Sequence, residues 1–268
     1  MSKPDVFVVS AARTAIGSFG GSLKDVALAD LATTAVKAAI QRSGVSADQV
    51  GHVVMGNVIP TEARDAYLGR VAAINAGVPI ETPAFNVNRL CGSGLQAIVS
   101  ATQALLLGET GVAIAAGAES MSRGAYILPT GRWGARLGDT QLLDYMNGIL
   151  HDPFQGMHMG VTAENVAERY GITRQMQDEL AAESQKRAAR AIAEGRFKSQ
   201  IVGVELKTRK GVVVFDTDGT TAVGGFIFDP TGSGSRATAF STTWSSQTGT
   251  SGRMREGARG SRRNRASW

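Results

Sequence analysis

Hydrophobic and polar positions alternate between two periods over the first 120 residues. "VFVV" (Val6 to Val9) is β-rich and predicts a strand. From about Ala27 to Ser43, Leu28, Leu31, Ala35, Ala38 and Ala39 recur at three and four, which predicts a helix closed by Gly44. "HVVMGNVI" (His52 to Ile59) is β-branched and strand-like. A helix is expected from about Asp65 to Asn75, with Gly77 and Pro79 as stop signals. "AFNVN" (Ala84 to Asn88) reads as a third strand and "VAIAAG" (Val112 to Gly117) as a fourth. The helix between them runs to about Leu107 and ends at Gly108. Strands alternating with helices of this length predict an α/β fold with a mostly parallel sheet covered on both faces.

The texture changes from about Glu119. Residues 119–160 hold seven Gly and two Pro and show no clear period until "TQLLDYM", so an inserted, loop-rich segment is expected. Two helices follow. The first spans about Thr162 to Tyr170. The second starts at Thr173 as N-cap, ends at Glu194 with Gly195 after it, and carries an apolar stripe of Met176, Leu180, Ala188 and Ile192. "QIVGVEL" and "GVVVF" are strand-like.

Beyond about Asp218 the pattern dissolves. Gly, Ser, Thr and Arg supply 32 of the last 50 residues, with no Leu, one Val and one Ile. Such a stretch buries too little apolar surface to fold alone. Three units result: 1–118, 119–218 and a tail at 219–268.

Charge changes the picture only in the tail. The chain of 268 residues has a net charge of +5. Residues 219–268 hold seven Arg, one Asp and one Glu, which is 7 − 2 = +5, so the first 218 sum to zero. That body has no electrostatic reason to seek phosphate, and no nucleic-acid partner is expected. A nucleic-acid arm in the tail is the weaker alternative, because only Phe240, Trp244 and Trp268 interleave its basic residues. "TGSGS" (Thr231 to Ser235) lacks the Gly-Lys-Ser/Thr ending of a phosphate loop. No apolar run reaches the roughly 18 residues of a membrane span, and no membrane partner is expected. The opening "MSKPDVFVVSAART" has no signal-peptide pattern, and a single cysteine fits a reducing compartment. The expected location is cytoplasmic.

The candidate chemistry centres on "NVNRLCGSGLQA" (Asn86 to Ala97), which holds that cysteine, Cys91. A lone cysteine often serves as a small buried hydrophobe. Cys91, however, sits where a strand gives way to a helix. The first-turn N–H groups and the helix dipole favour negative charge there, as a thiolate nucleophile needs. Gly92 and Gly94 leave room for a large substrate and let backbone N–H groups approach an oxyanion. A strand, a nucleophile and a Gly-rich helix start make an elbow suited to acyl transfer through a thioester. His151 and His158, seven apart beside Asp152, lack a third ligand at useful spacing, so no metal site is expected.

"NRLCGSGLQAI" closely resembles the acyl-enzyme segment of the thiolases, the acetyl-CoA acetyltransferase family. The resemblance covers about residues 5 to 218. It includes "SAARTAIGSFGGSL" (Ser10 to Leu23), "AAGAESMS" (Ala115 to Ser122) and "HMGVTAENVAERYGITR" (His158 to Arg174). "GNVIPTEARDAYLGRVAA" (Gly56 to Ala73) is similar to the β-ketothiolases of polyhydroxyalkanoate synthesis.

The resemblance implies a layered βαβαβ half with an inserted loop domain, and the C-terminal half of the fold absent. It implies that Cys91 takes an acyl group from an acyl-CoA. A second acetyl-CoA, deprotonated at its α-carbon, then attacks to give a 3-ketoacyl-CoA; the reverse is thiolysis. Coenzyme A is thus carried by the substrate, and no cofactor is implied. Leu150, His158, Met159 and Gln185 carry over as pantetheine contacts. Glu119 and Ser122 carry over as support for the active-site wall. Arg132, Trp133 and Arg136 fall in the loop that helps join the family's homotetramer.

The family's second half supplies an Asn, a His before Pro and a second Cys. His52, His151 and His158 are the only histidines here, none precedes Pro, and no cysteine follows Cys91. Impaired turnover is therefore expected, with the tail disordered or read out of frame. The apolar face of the helix after Cys91 (Leu95, Ile98, Val99) is expected to lack partners and to face water. A ketosynthase-like condensing enzyme and a non-catalytic thiolase subunit with a basic tail are the alternatives.

Overall fold

The computed structural model describes residues 5–134 and 136–219. The predicted tail, apart from Gly219, lies outside the described residues.

The predicted alternation organises the body. Helix α1 (Leu28–Ser43) ends at Gly44, whose φ of 72° is the left-handed cap that glycine supplies without a Cβ clash. Strand β2 (His52–Gly56) pairs in parallel with β3 (Ala84–Val87) on one side and β4 (Ala113–Gly117) on the other. Helix α2 (Leu68–Asn75) links β2 to β3, and α3 (Ser93–Leu106) links β3 to β4.

Alternation along β2 explains the layering. Met55 packs with Leu28, Val36, Leu68 and Ala72 of α1 and α2 on one face. Val54 packs with Ala97 and Ala101 of α3 on the other. Val53, Val54 and Met55 are fully buried, as a central parallel strand covered on both faces requires. Burying each such side chain contributes about 1.5–3 kcal/mol.

Several boundaries differ from the sequence reading. The region predicted as one helix from Asp65 opens as a 3-10 turn, Ala63–Tyr67, before α2. Asp65, fully buried, accepts hydrogen bonds from the Thr61 and Glu62 N–H groups and the Thr61 hydroxyl, and this tightens the turn. The predicted strand over Val6 to Val9 does not form. Phe7, Val8 and Val9 are exposed, and the first strand, β1, is the short Arg13–Thr14, which pairs in parallel with β7 (Ile201–Val202). A β-rich run forms a strand only where a neighbour offers an edge, and Val6 to Val9 have none beside them.

The loop-rich segment carries small elements that its glycine content conceals. Strand β5 (Tyr126–Ile127) pairs antiparallel with β6 (Leu143–Asp144), at the base of an excursion in which Trp133 and Leu137 are exposed. Asp144 caps the short α4 (Tyr145–Ile149) by accepting from the Asn147 N–H. Helix α5 (Met159–Tyr170) starts three residues before its predicted start. Helix α6 (Arg174–Ala193) is capped by Thr173 as the sequence predicts. Its apolar stripe stays largely open, with Met176 and Leu180 exposed. Strands β8 (Val204–Thr208) and β9 (Gly211–Phe215) form an antiparallel hairpin. No described helix is long and apolar enough to cross a membrane.

The expected apolar face is present. Leu95, Ile98 and Val99 of α3 are 68%, 51% and 41% exposed, far above ordinary core values.

Residues 216–219 are tied back to the start of the chain. Asp218 receives both Arg13 guanidinium NH groups at 2.7 Å and the Ile16 N–H at 2.9 Å. The Arg13 hydrogen bonds hold the Asp218 carboxyl below the usual carboxylate range. A carboxylate with a lowered folded-state pKa stabilises the fold above its unfolded pKa, and that stability is lost as pH falls through the folded value. We therefore expect Asp218→Asn to cost about 1–2 kcal/mol at neutral pH, discounted because Arg13 is partly exposed. The difference from wild type should shrink on acidification below the carboxylate range. Urea titrations of both proteins across pH 3 to 7 would check this; a constant difference would contradict it.

Candidate active site

Cys91 lies between the end of β3 and the start of α3, and it is exposed. Five local hydrogen bonds build its turn. The Asn88 side-chain oxygen accepts from the Leu90 N–H, and Arg89 O accepts from the Gly92 N–H. Leu90 O accepts from the Ser93 N–H. The buried Ser93 hydroxyl accepts from the Arg89 N–H at 2.9 Å and donates to Leu90 O at 2.7 Å. Leu90 is forced to a φ of 48°, the one positive value at a non-glycine residue among those described. Such strain costs on the order of 1–3 kcal/mol and persists only where the surroundings fix it. Here it turns the chain sharply between strand and helix and leaves Cys91 outside the layers.

A glycine that motif reasoning overlooked, Gly56, sets the depth of this turn. A Cβ there would lie 2.8 Å from the Ser93 carbonyl carbon and oxygen, whereas one on Gly117 would meet only ordinary contacts, 3.4 Å from Gly56 O. The end of β2 therefore presses against the first turn of α3. That first turn keeps N–H groups without intrahelical partners. A Cβ on Gly94 would meet nothing within 4 Å, so the helix mouth is open on that side. The signal available in the sequence was the glycine closing each strand, "VVMG" and "AIAAG".

Glu119 follows β4 and clamps the segment after β2. Its carboxylate accepts from the Asn57 side-chain amide and from the Val58 and Ile59 N–H groups. Burial pushes its carboxyl above the usual range, although the Ile59 and Val58 N–H groups pull the other way. Ser122 accepts from the Gly20 N–H at 2.9 Å, which ties the glycine-rich "GSFGGS" stretch to the same region.

The structure brings together Leu150, His158 and Met159, residues expected to contact pantetheine. Leu150 O accepts from the Met159 N–H at 2.8 Å, and His151 and His158 are bridged with their rings 5.1 Å apart. His158 caps α5, its Nδ1 accepting from the Gly160 N–H. Neutral His158 therefore carries its proton on Nε2. Burial, and then the neighbouring His151, lower its pKa and favour that neutral form. Gln185 lies in the middle of α6. Cys91 belongs to a separate element at the mouth of α3. Among the described residues, no group of three or more His, Cys, Asp or Glu side chains is disposed to hold a metal ion.

Comparison with known proteins fits this geometry. The family profile described as "Thiolase, N-terminal domain" matches residues 6–231. The beta-ketothiolase BktB of Cupriavidus necator is 65% identical over 214 residues, covering 80% of this chain and 54% of that protein. The acetyl-CoA acetyltransferase of Escherichia coli is 46% identical, covering 79% of this chain and 54% of that protein. Among solved structures, the acetyl-CoA acetyltransferase of Bacillus anthracis superposes with a TM-score of 0.77 at 40% identity, covering 81% of this chain and 55% of that one. The chain spans about half the length of these relatives. The strand–turn–helix elbow, the glycine-closed strands and these matches agree: the chain belongs to the thiolase family, and the matched region is that family's N-terminal domain.

Proposed function

We propose that this chain carries the acyl-accepting half of a thiolase reaction, with Cys91 as nucleophile and an acyl-CoA as donor. The single observation that carries the reading is the exposed Cys91 on a strained turn at the mouth of α3. The Cys91 thiolate attacks the thioester carbonyl carbon. The carbon–sulfur bond to coenzyme A breaks, coenzyme A leaves as its thiolate, and an acyl-cysteine remains. During attack, negative charge gathers on the carbonyl oxygen. First-turn N–H groups of a helix are suited to stabilise such a charge, and the open side of Gly94 admits it.

Leu150, His158 and Met159 are the candidates to hold the pantetheine arm. Leu150 and Met159 supply apolar surface beside the neutral His158 ring. Gln185 on α6 is the fourth candidate. Coenzyme A enters as part of the substrate, not as a resident cofactor.

The second half-reaction needs a base to remove the α-proton of acetyl-CoA and release the carbanion that forms the carbon–carbon bond. The chain holds three histidines and one cysteine, and none of them matches the family's second-half residues. We therefore assign the acyl transfer to this chain and expect condensation or thiolysis to need groups it does not carry. In a complete enzyme the product is a 3-ketoacyl-CoA of the kind that feeds polyhydroxyalkanoate synthesis.

Incubation with radiolabelled acetyl-CoA followed by peptide mapping tests the assignment. Label should appear on the peptide containing Cys91 and vanish in Cys91→Ser. Label elsewhere, or none on a folded chain, would overturn it. Ser93→Ala probes the turn. Losing both hydroxyl bonds should lower unfolding stability by about 1–3 kcal/mol. It should also slow acetylation about tenfold, because misplacing a reacting atom is costly. Unchanged labelling in a destabilised Ser93→Ala protein would show that the turn does not position the sulfur.

A further inference from the structure

The loop between α4 and α5 is a miniature antiparallel ladder. The Met159 N–H donates to Leu150 O at 2.8 Å, and the Asp152 N–H donates to Met157 O at 2.7 Å. These bonds bracket His151 and His158, which face each other as a bridge. A pair flanked in this way makes no main-chain bonds of its own. Such pairs bring opposing side chains closest, with Cα atoms about 4.5 Å apart. The tip of the loop fixes the register. Asp152 accepts from the Gln155 N–H through its carboxylate and from the Gly156 N–H through its carbonyl, and Gly156 takes a φ of 69°. A slip of one residue would turn the two rings to opposite faces.

Each ring is oriented by a main-chain group. His151 Nδ1 lies 2.8 Å from Asn147 O in α4. A carbonyl oxygen only accepts, so this nitrogen carries a proton. His158 Nδ1 accepts from the Gly160 N–H at 3.0 Å, so in the neutral ring that nitrogen is bare and Nε2 is protonated. The ring planes meet at 82° with centroids 5.1 Å apart, an edge-to-face arrangement. Turning the His158 ring over would set a carbon against the Gly160 N–H and uncap α5. Protonating its Nδ1 would set donor against donor at the positive end of that helix. The His151 ring, tied to α4, packs against His158 and opposes the rotation.

We propose that His151 is a positioning residue for coenzyme A binding: it holds the His158 ring in its Nε2-protonated form, so that the pantetheine arm meets a hydrogen-bond donor. The group selected is an amide carbonyl of pantetheine, because a protonated ring nitrogen pairs with an acceptor and not with an amide N–H. An imidazole held by neither neighbour exchanges its tautomers, and its contact with the carbonyl is then lost part of the time. The pair that finds no third ligand for a metal among the described residues thus has a use as a pair. Its two members divide the work: His158 touches the arm, and His151, anchored one turn back on α4, keeps His158 in register and in one protonation form. The inference rests on the reading that His158 contacts pantetheine; the chemistry of Cys91 enters only as a readout.

The test uses the full chain carrying nitrogen-15 histidine. Nitrogen NMR at neutral pH should show His158 with a bare Nδ1 and a protonated Nε2, its signals assigned by their loss in His158→Gln. In His151→Ala these nitrogens should move toward the average of the two tautomers, with circular dichroism unchanged. His151→Phe, which keeps a ring against His158, should retain most of the Nε2-protonated form. Added coenzyme A should perturb the His158 Nε2 signal of the wild type. The rate at which radiolabelled acetyl-CoA labels Cys91 supplies the second readout. His151→Ala should raise the half-saturating concentration about tenfold, as loss of one hydrogen bond allows, and leave the limiting rate unchanged. Combining His151→Ala with His158→Ala should weaken binding no further than His158→Ala alone, because His151 acts through His158. A His158 spectrum identical in wild type and His151→Ala overturns the proposal. Additive losses in the double variant, or a His158 signal indifferent to coenzyme A, overturn it as well. A chain whose Cys91 takes no label but whose His158 signal responds to coenzyme A would overturn the acyl-transfer reading and support this one.

Discussion

The close contact between the carboxyl end of β2 and the first turn of α3 governs the rest of this structure. It is a contact between backbones, possible because Gly56 presents no Cβ; a methyl group there would sit 2.8 Å from main-chain atoms of Ser93. Backbone cannot yield as the end of a flexible side chain can. Anything larger at Gly56 must therefore lift α3 from the sheet. Lifting α3 would separate Ala97 and Ala101 from Val54, opening the layer that holds the helix in place. It would also undo the turn that strains Leu90 and exposes Cys91. Fold and candidate chemistry thus share one point of dependence.

Around that point the polar groups act as struts. Asn57 donates to Ala118 O and to Glu119, and Glu119 in turn gathers the Val58 and Ile59 N–H groups. The chain leaving β2 is thereby fixed to the chain leaving β4, at the same end of the sheet as Cys91. The arrangement follows the general rule that ligands of open parallel sheets bind beyond the carboxyl ends of the strands. Burial of Glu119 is unfavourable for its charge and raises its pKa, against the pull of the Ile59 and Val58 N–H groups.

What the sequence disclosed was the local layer. The 3.6-residue spacing placed α1, α3 and α6, the capping residues Thr173 and Gly44 marked their ends, and the cysteine between a strand and a glycine-rich helix start marked the elbow. What it concealed depends on partners distant in the chain. Val6 to Val9 have every local property of a strand and form none, because a strand is defined by its neighbour. Arg13 and Asp218, 205 residues apart, carry no periodic signal, yet their bidentate pair ties the two ends of the described chain. Gly56 reads as an ordinary strand end until the approach of α3 gives it a purpose. The exposed face of α3 was the exception among long-range features. Leu95, Ile98 and Val99 recur at helical spacing, so their need for a partner was visible even though the partner was not.

The contrast between the elbow and the open sheet edge separates two kinds of dependence. Every hydrogen bond that shapes the Cys91 turn runs between residues 88 and 96, and the strand that presses on it is already paired with β4. The geometry around Cys91 is therefore set within residues 52–118. The outer edge of β4, the exposed side of α3 and the stripe of α6 are left uncovered by the described residues. Forming an acyl-enzyme requires one sulfur at one helix mouth. On the proposed reading, carbon–carbon bond formation needs a base in addition to that sulfur, and the three histidines and one cysteine of this chain do not match the residues the family uses for it. The local geometry at the mouth of α3 therefore bears on the acyl-accepting step of that proposal and not on the condensation.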